Sequence, residues 1–485
     1  MNRYILMNIG SNWHALNIDE FTDYDNESKL VFTDKDMLVS FQVSDLIREF
    51  KAKDIKVLPI LVDLESFDKQ MSQEGNDLRN FENWKAINML KFHKVIYDGF
   101  ELKENTFKLF LEYLASLFLN LLENNEEEKM RFNEIELKIN NLIYERQLQG
   151  VRIDKDIAEQ KCLEIEKEIY KIKNILQLKH NIFMPDDEKQ QKAWLISKKY
   201  NIIQSLLYSF KIRRNDDNVC LQFYELIRNQ QDLESLLFML SHWGGEERTY
   251  PSYVGFGTIT SRITLRQPSL QNIRKVNRSA IIADIGKKLL YVDYSQFEAG
   301  ILASLSKDDQ LIMLYNEDIY KDLANKVLND EGKRSEAKII FYRYMYGDTS
   351  LGRKEKAYFT KFEKLNQFKL KIEKELKTNN RIGTINGNYR RRNDDEESNW
   401  GLSHVIQSTA SLIFKNAILS VHKEVPNANF LIPMHDAALY QIFEFQYEVY
   451  KQKIQEIFKQ EFVKICPQIK PIVNCEDFYV EKLKI

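Results

Sequence analysis

The sequence predicts an α+β fold whose chemistry lies in its C-terminal half. Three observations carry this. Residues 1 to about 130 mix strand-like apolar runs with helical stretches. Residues 133–248 read as charged helices interrupted by polar turns. From residue 289 the apolar period changes from that of a strand to that of a helix, and later back again. At about 150 residues per domain, 485 residues suggest three domains. We place them at 1–130, 131–250 and 251–485.

In the first domain, Tyr4-Ile5-Leu6-Met7 and Val57 to Val62 read as short buried strands, and Met37 to Phe50 as helix. Phe107 to Leu122 is the most apolar stretch but contains Lys108, Glu112 and Asn120. It falls short of the ~20 residues of a membrane span and reads as a buried helix. The acidic run Glu123 to Glu128 marks a boundary. In the second domain, Ile135, Ile139, Leu142 and Ile143 share one helical face. The helix breaks at Gln149-Gly150, and Asp154 is a candidate cap for the next one. A loop rich in Gly, Ser and Thr follows from Gly244 to Ser261. Beyond it, Leu289 to Val292 reads as a strand, Glu298 onward as helix, and 334–347 as one helix. Phe430 to Tyr440 reads as two strands around a His-Asp turn.

Net charge is −2, which excludes a uniformly basic nucleic-acid coat but not a local basic surface. Basic residues cluster at Arg274, Lys275 and Arg278, at Lys287 and Lys288, and at Arg390 to Arg392. The four cysteines are scattered and form no CxxC pair, so neither a zinc site nor a disulfide framework is expected. The N-terminus lacks the pattern of a secretory leader. A cytoplasmic protein without membrane contact is expected.

Asp293 follows the strand at 289–292, and Asp436 sits in the turn Met434-His435-Asp436. Phosphoryl transfer onto a hydroxyl uses two divalent ions, and Mg²⁺ takes hard oxygen ligands such as carboxylates. Asp293 and Asp436 are the candidate ligands for two Mg²⁺ ions, with Mn²⁺ as an alternative. Either aspartate alone would read as a cap or a surface residue. Between them, Arg334, Lys338, Tyr342 and Tyr346 recur every four residues and share a helix face. Two cations and two rings on one face suit a triphosphate, a sugar and a base. The same helix alone reads equally well as an ordinary amphipathic one.

The ordered set of motifs resembles family A DNA polymerases, strongly from Gly257 to Tyr440 and more weakly from Glu134 to Asp154. Asp293-Tyr-Ser-Gln-Phe-Glu298 resembles motif A (DYSQIE). Arg334, Lys338, Tyr342, Tyr346 and Gly347 resemble motif B, and Met434-His435-Asp436 resembles motif C (VHDE). Thr260-Ser261-Arg262 with Pro268 to Ile273 resembles TGR…PNLQNI, Gly383 to Arg392 resembles TxxGRRR, and Gln407-Ser-Thr-Ala resembles QGTAAD. The resemblance implies a right-hand palm, fingers (about 306–375) and thumb, after an exonuclease-like N-terminal region. It implies primer–template DNA and dNTPs as partners. Asp293, Asp436 and Lys338 would be catalytic, and Arg334, Lys338, Tyr342, Tyr346, Glu298 and His435 would bind the nucleotide. Glu298 would be the gate against a 2′-hydroxyl. Arg262, Gln271, Asn272, Arg278, Arg390, Arg391, Gln407 and His435 would meet DNA.

The sequence departs from the pattern in places. Motif C has Ala437 where the family has Glu, motif A has Gly300 where it has Arg, and motif B has Tyr342 where many members have Phe. Tyr342 implies weak discrimination against dideoxynucleotides. An exonuclease would carry Asp-x-Glu where this chain has Asn8 and Gly10. Asp63-Leu64-Glu65 has that spacing but no convincing partner carboxylates, so proofreading is not expected. The segment 155–250 is short for a full thumb, and a partner supplying processivity or proofreading stays open. Three other readings stay beside a DNA polymerase: a ribonucleotide-using enzyme, a template-independent one, and a retired polymerase that only binds DNA. Glu298 counts against the first.

Overall fold

A computed structural model describes residues 2–479 apart from 11, 22–23, 26–28, 75–84, 203–204, 245–246 and 393–397. It is α+β and divides into two compact units. The larger comprises Met1–Gln149, Tyr253–Thr264 and Ile285–Phe478, and the smaller comprises Gly150–Ser252, Leu265–Asp284 and Tyr479–Ile485.

The larger unit begins with a five-stranded sheet ordered Tyr24–Asp25, Asn12–Asn17, Arg3–Ile9, Met37–Ser40, Ile60–Asp63. The first three strands run antiparallel and the last three parallel. Ile5, Leu16, Val39 and Val62 are fully buried and pack on Phe67, Phe110 and Phe118 from the covering helices. The expected helix Met37 to Phe50 is corrected here. Met37–Ser40 is a central strand, and the helix begins only at Val43. A four-residue apolar run running into a helix has no period of its own to separate the two. The apolar stretch near residue 110 is a buried helix, Phe107–Glu123. Among the described residues no helix is long and apolar enough to cross a membrane.

The second sheet of this unit holds the functional strands. Its order is Asn429–Met434, Ala437–Phe443, Lys287–Ser295, Ile472–Asp477, with antiparallel neighbours throughout. Leu290, Val292, Tyr440 and Ile442 are buried on one face of this sheet, where Tyr440 and Tyr294 meet Phe458 of the helix Tyr447–Ile465. The helix Phe297–Ser306 leaves the end of the Asp293 strand at once. Gly300 lies in it, and a Cβ there would stand 2.8 Å from Tyr315 Cε2 and 3.1 Å from Phe462 Cζ. The family's Arg at this position is thus replaced by packed aromatic rings, not by an empty surface.

In the smaller unit, the helices Lys155–His180 and Asn218–Ser241 pack along each other. Asp154 caps the first as expected, its side chain accepting from the Ile157 N–H at 2.9 Å. Trp194, Phe210 and Phe223 form an aromatic cluster at one end. The expected loop from Gly244 contains the short strand Arg248–Thr249, while its residues 245–246 lie outside the described residues.

The packing at Gly300 makes a prediction. Gly300→Ala should lower stability by about 1–3 kcal/mol through overpacking. Gly300→Arg, which also buries a charge, should give little folded protein. Thermal denaturation reads both, and a wild-type Tm for Gly300→Arg would contradict the packing described.

Candidate active site

The antiparallel register pairs Asp293 with Ala437. On the other side Met434 pairs with Ala437, which leaves His435 and Asp436 as a two-residue hairpin turn. Such turns need positive φ, and His435 adopts φ +61°. The Tyr294 N–H donates to the Asp436 carbonyl at 3.3 Å, tying the turn to the strand end. The two aspartates expected from sequence are therefore neighbours at one end of the two inner strands, both partly exposed. Ala437 is fully buried directly opposite Asp293, so a glutamate at 437 would have placed a like charge beside it.

Arg262 reaches this strand end from its own loop. It bonds Glu298 at 2.6 Å and lies 3.9 Å from Asp436. Burial lowers its pKa, but Glu298 and Asp436 outweigh that and raise it. Glu298 is 2% exposed in the first turn of its helix. Burial first and the Asp436 charge second push its carboxyl up to about 7, against the pull of Arg262 and Lys338. Arg262, Phe297, Ser411, His435 and Asp436 line one small cavity.

The motif B helix spans Arg334–Met345. Its expected face is real: the Arg334 guanidinium lies 5.1 Å and the Lys338 ammonium 5.8 Å from the Tyr320 ring centre, and Lys338 is 5.7 Å from that of Tyr342. Arg334 donates to Asp318 Oδ2 at 2.6 Å. Sequence reasoning missed both Asp318 and Tyr320. They come from the preceding helix, and no local spacing marks them. Tyr342 is half-buried, and burial, then the neighbouring Tyr320 and Glu298, raise its hydroxyl pKa. Tyr346 is 43% exposed and accepts from Gln407 Nε2 at 2.9 Å. Gly347 has φ +74°, and a Cβ there would press on Asn399.

The expected DNA-side residues divide. Gln407 is beside Tyr346, and Arg391 is exposed at the end of the hairpin strand Gly387–Arg391. Arg390 is a correction. It is 3% exposed, with its guanidinium 3.7 Å from the Trp400 ring centre, because alternation along the strand turns it inward while Arg391 points out. In the smaller unit Asn272 is exposed, Arg278 is half-buried and Gln271 accepts from the Leu265 N–H. Arg274 of the basic cluster is held by Asp232 and Asn229.

The Asp63/Glu65 pair is occupied structurally. Asp63 caps the helix Leu64–Ser72 by accepting from the Glu65 N–H and the Ser66 hydroxyl, and Glu65 pairs with Lys69 at 2.6 Å. At Asn8 the backbone N–H donates to Gln42 Oε1 at 2.8 Å.

Among the described residues no three His, Cys, Asp or Glu side chains gather as a metal cage. Two partly exposed carboxylates at the end of the inner strands suit Mg²⁺, which completes its shell with phosphate oxygens and water.

The profile of DNA polymerase family A matches residues 144–475, more than half of the chain, and the chain belongs to that family. It is 24% identical to DNA polymerase I of Caldicellulosiruptor bescii, over 90% of this chain and 58% of that protein. It is 27% identical to DNA polymerase I of Borreliella burgdorferi, over 69% of this chain and 42% of that protein. The chain thus spans about half the length of these relatives. The POL domain of Pol1 from M. smegmatis, solved with a DNA primer-template and dNTP, shares the fold at TM-score 0.74 and 15% identity, covering 96% of this chain and 92% of that one.

Glu298 gives a pH prediction. Its carboxyl is raised from 4.5 to about 7 in the folded protein, so the unfolded chain ionises first. Its contribution to stability is fully present below about pH 4.5 and is lost as pH rises to about 7. Urea midpoints measured across this window should fall less in Glu298→Gln than in wild type; identical slopes would remove the assignment.

Proposed function

We propose that the chain is a DNA-directed DNA polymerase, adding deoxynucleotides to a primer 3′-hydroxyl on a DNA template, without proofreading. One observation carries this: the hairpin register sets Asp293 beside the turn that bears Asp436, and the Asp436 charge acts on Tyr342 of the helix that carries Arg334 and Lys338. In this reading Asp293 and Asp436 hold the divalent ions. When bound, such ions acidify the 3′-hydroxyl and neutralise the leaving pyrophosphate. The 3′-oxygen attacks the α-phosphorus and pyrophosphate departs. Arg334 exchanges Asp318 for a phosphate oxygen, and Lys338 meets the charge that builds on the leaving group. Tyr342 lies along the sugar, Tyr346 near the templating base, and Glu298 closes the space a 2′-hydroxyl needs. His435 and Arg262 face the primer terminus, and Gln271, Asn272, Arg278, Arg391 and Gln407 meet the duplex.

We assign the N-terminal α/β region as an exonuclease-like fold without activity, since its one Asp-x-Glu pair is used for capping and an ion pair. The segment 131–250 is the thumb with its connecting helices, and 306–375 the fingers. Four free cysteines suit a reducing cytoplasm.

Extension of a labelled primer tests the reading. Wild type should add template-directed dNTPs with Mg²⁺. Asp293→Asn and Asp436→Asn should each lose at least about 100-fold in rate, as for removal of a charge-stabilising group. Glu298→Ala should chiefly raise NTP use. Addition without template would favour tailing, preferential NTP addition by wild type a ribonucleotide enzyme, and no addition with Mg²⁺ or Mn²⁺ a retired polymerase.

A further inference from the structure

Ser261, immediately before Arg262, has φ +59°, a backbone conformation that favours glycine. It is fully buried. A serine held there needs surrounding structure that fixes it, and the surroundings are specific. Arg131 Nη2 donates to Ser261 Oγ at 2.9 Å. The Ser261 hydroxyl donates to Ser411 Oγ at 3.1 Å, and the Ser411 hydroxyl donates to the Ser261 carbonyl at 2.7 Å. Because a guanidinium only donates, it sets the direction of both hydroxyl protons in this chain.

Arg131 is itself fixed. It pairs with Glu136 at 2.9 Å, five residues on, across the π-helical turn Phe132–Glu136 that brings the two into line. Its Nη1 donates to the Asn386 carbonyl at 3.2 Å. Glu136 also binds Lys415, and all three side chains are almost wholly buried. The backbone around Ser261 forms a tight turn: its N–H donates to the Thr258 carbonyl, and the Arg262 carbonyl accepts from Gly257.

We propose that Arg131 is a positioning residue for Arg262: through Ser261 it fixes the turn that aims the Arg262 guanidinium at Glu298 and Asp436. The helical segment after the N-terminal α/β region thereby takes part in nucleotide selection without touching the nucleotide. The proposal rests on the polymerase reading above for its kinetic consequence, but its structural part stands apart from it.

The test uses Arg131→Met, Arg131→Lys and Arg131→Met with Ser261→Gly. In Arg131→Met, Glu136 keeps Lys415 as partner, which preserves the fold. Lysine keeps the charge on Glu136, but a single ammonium does not also reach Ser261 and Asn386. Hydrogen exchange of the segment 257–264 is read by mass spectrometry, with the N-terminal sheet as internal control. Selection of dNTP over NTP is measured as kcat/KM per active site. Arg131→Met and Arg131→Lys should speed exchange in 257–264 and leave the sheet unchanged. They should weaken dNTP selection by about ten- to a hundredfold, the scale of an ångström-sized misplacement. Adding Ser261→Gly should restore part of both, because glycine holds φ +59° without help. Unchanged exchange in 257–264, equal loosening of the sheet, or unchanged selection in an active enzyme would each overturn the proposal. If wild type adds no nucleotide, the polymerase reading fails, and exchange alone still decides whether Arg131 holds the turn.

Discussion

The site depends on one constraint, the antiparallel register between Lys287–Ser295 and Ala437–Phe443. A slip of one residue would turn every side chain of one strand to the other face. Asp293 would then leave the site, and Val292, fully buried now, would be exposed in its place. The register is fixed from two sides. Leu290, Val292, Ala438, Tyr440 and Ile442 bury one face, and the two-residue His435-Asp436 turn sets the hairpin. Burying the sheet and placing the carboxylates are the same event.

Around that strand end the charges are mutually dependent. Glu298 is buried and disfavoured as an anion, and Arg262 is the cation that offsets this. Arg262 is in turn placed by a loop whose strained residue is held by a buried arginine. Such buried ions stabilise little by themselves, yet removing one partner leaves the other uncompensated. Arg334 differs. It is partly exposed and paired with Asp318, an ion pair that a competing anion can exchange at modest cost.

Much of this was legible in the sequence because motif spacing reports local geometry. The strand–Asp293–helix switch, the Arg334 helix face and the His435-Asp436 turn each lie within about a dozen residues, and each appears where its spacing placed it. What was not legible lies in tertiary partners. Asp318 and Tyr320 under Arg334, Tyr315 filling the space at Gly300, and Arg131 reaching Ser261 across 130 positions leave no local period. Arg390 was misread because a run of three arginines looks like one basic patch, whereas a strand turns alternate members inward. Met37–Ser40 was missed because a short buried strand has too few residues to show a period.

The central claim is that Asp293 and Asp436 together hold the divalent ions. Binding of Mn²⁺ to the protein with primer–template and a non-hydrolysable deoxynucleotide, counted by electron paramagnetic resonance, tests it most directly. The account predicts two bound ions in wild type and loss of at least one in Asp293→Asn and in Asp436→Asn. Two ions retained when both aspartates are replaced would contradict it.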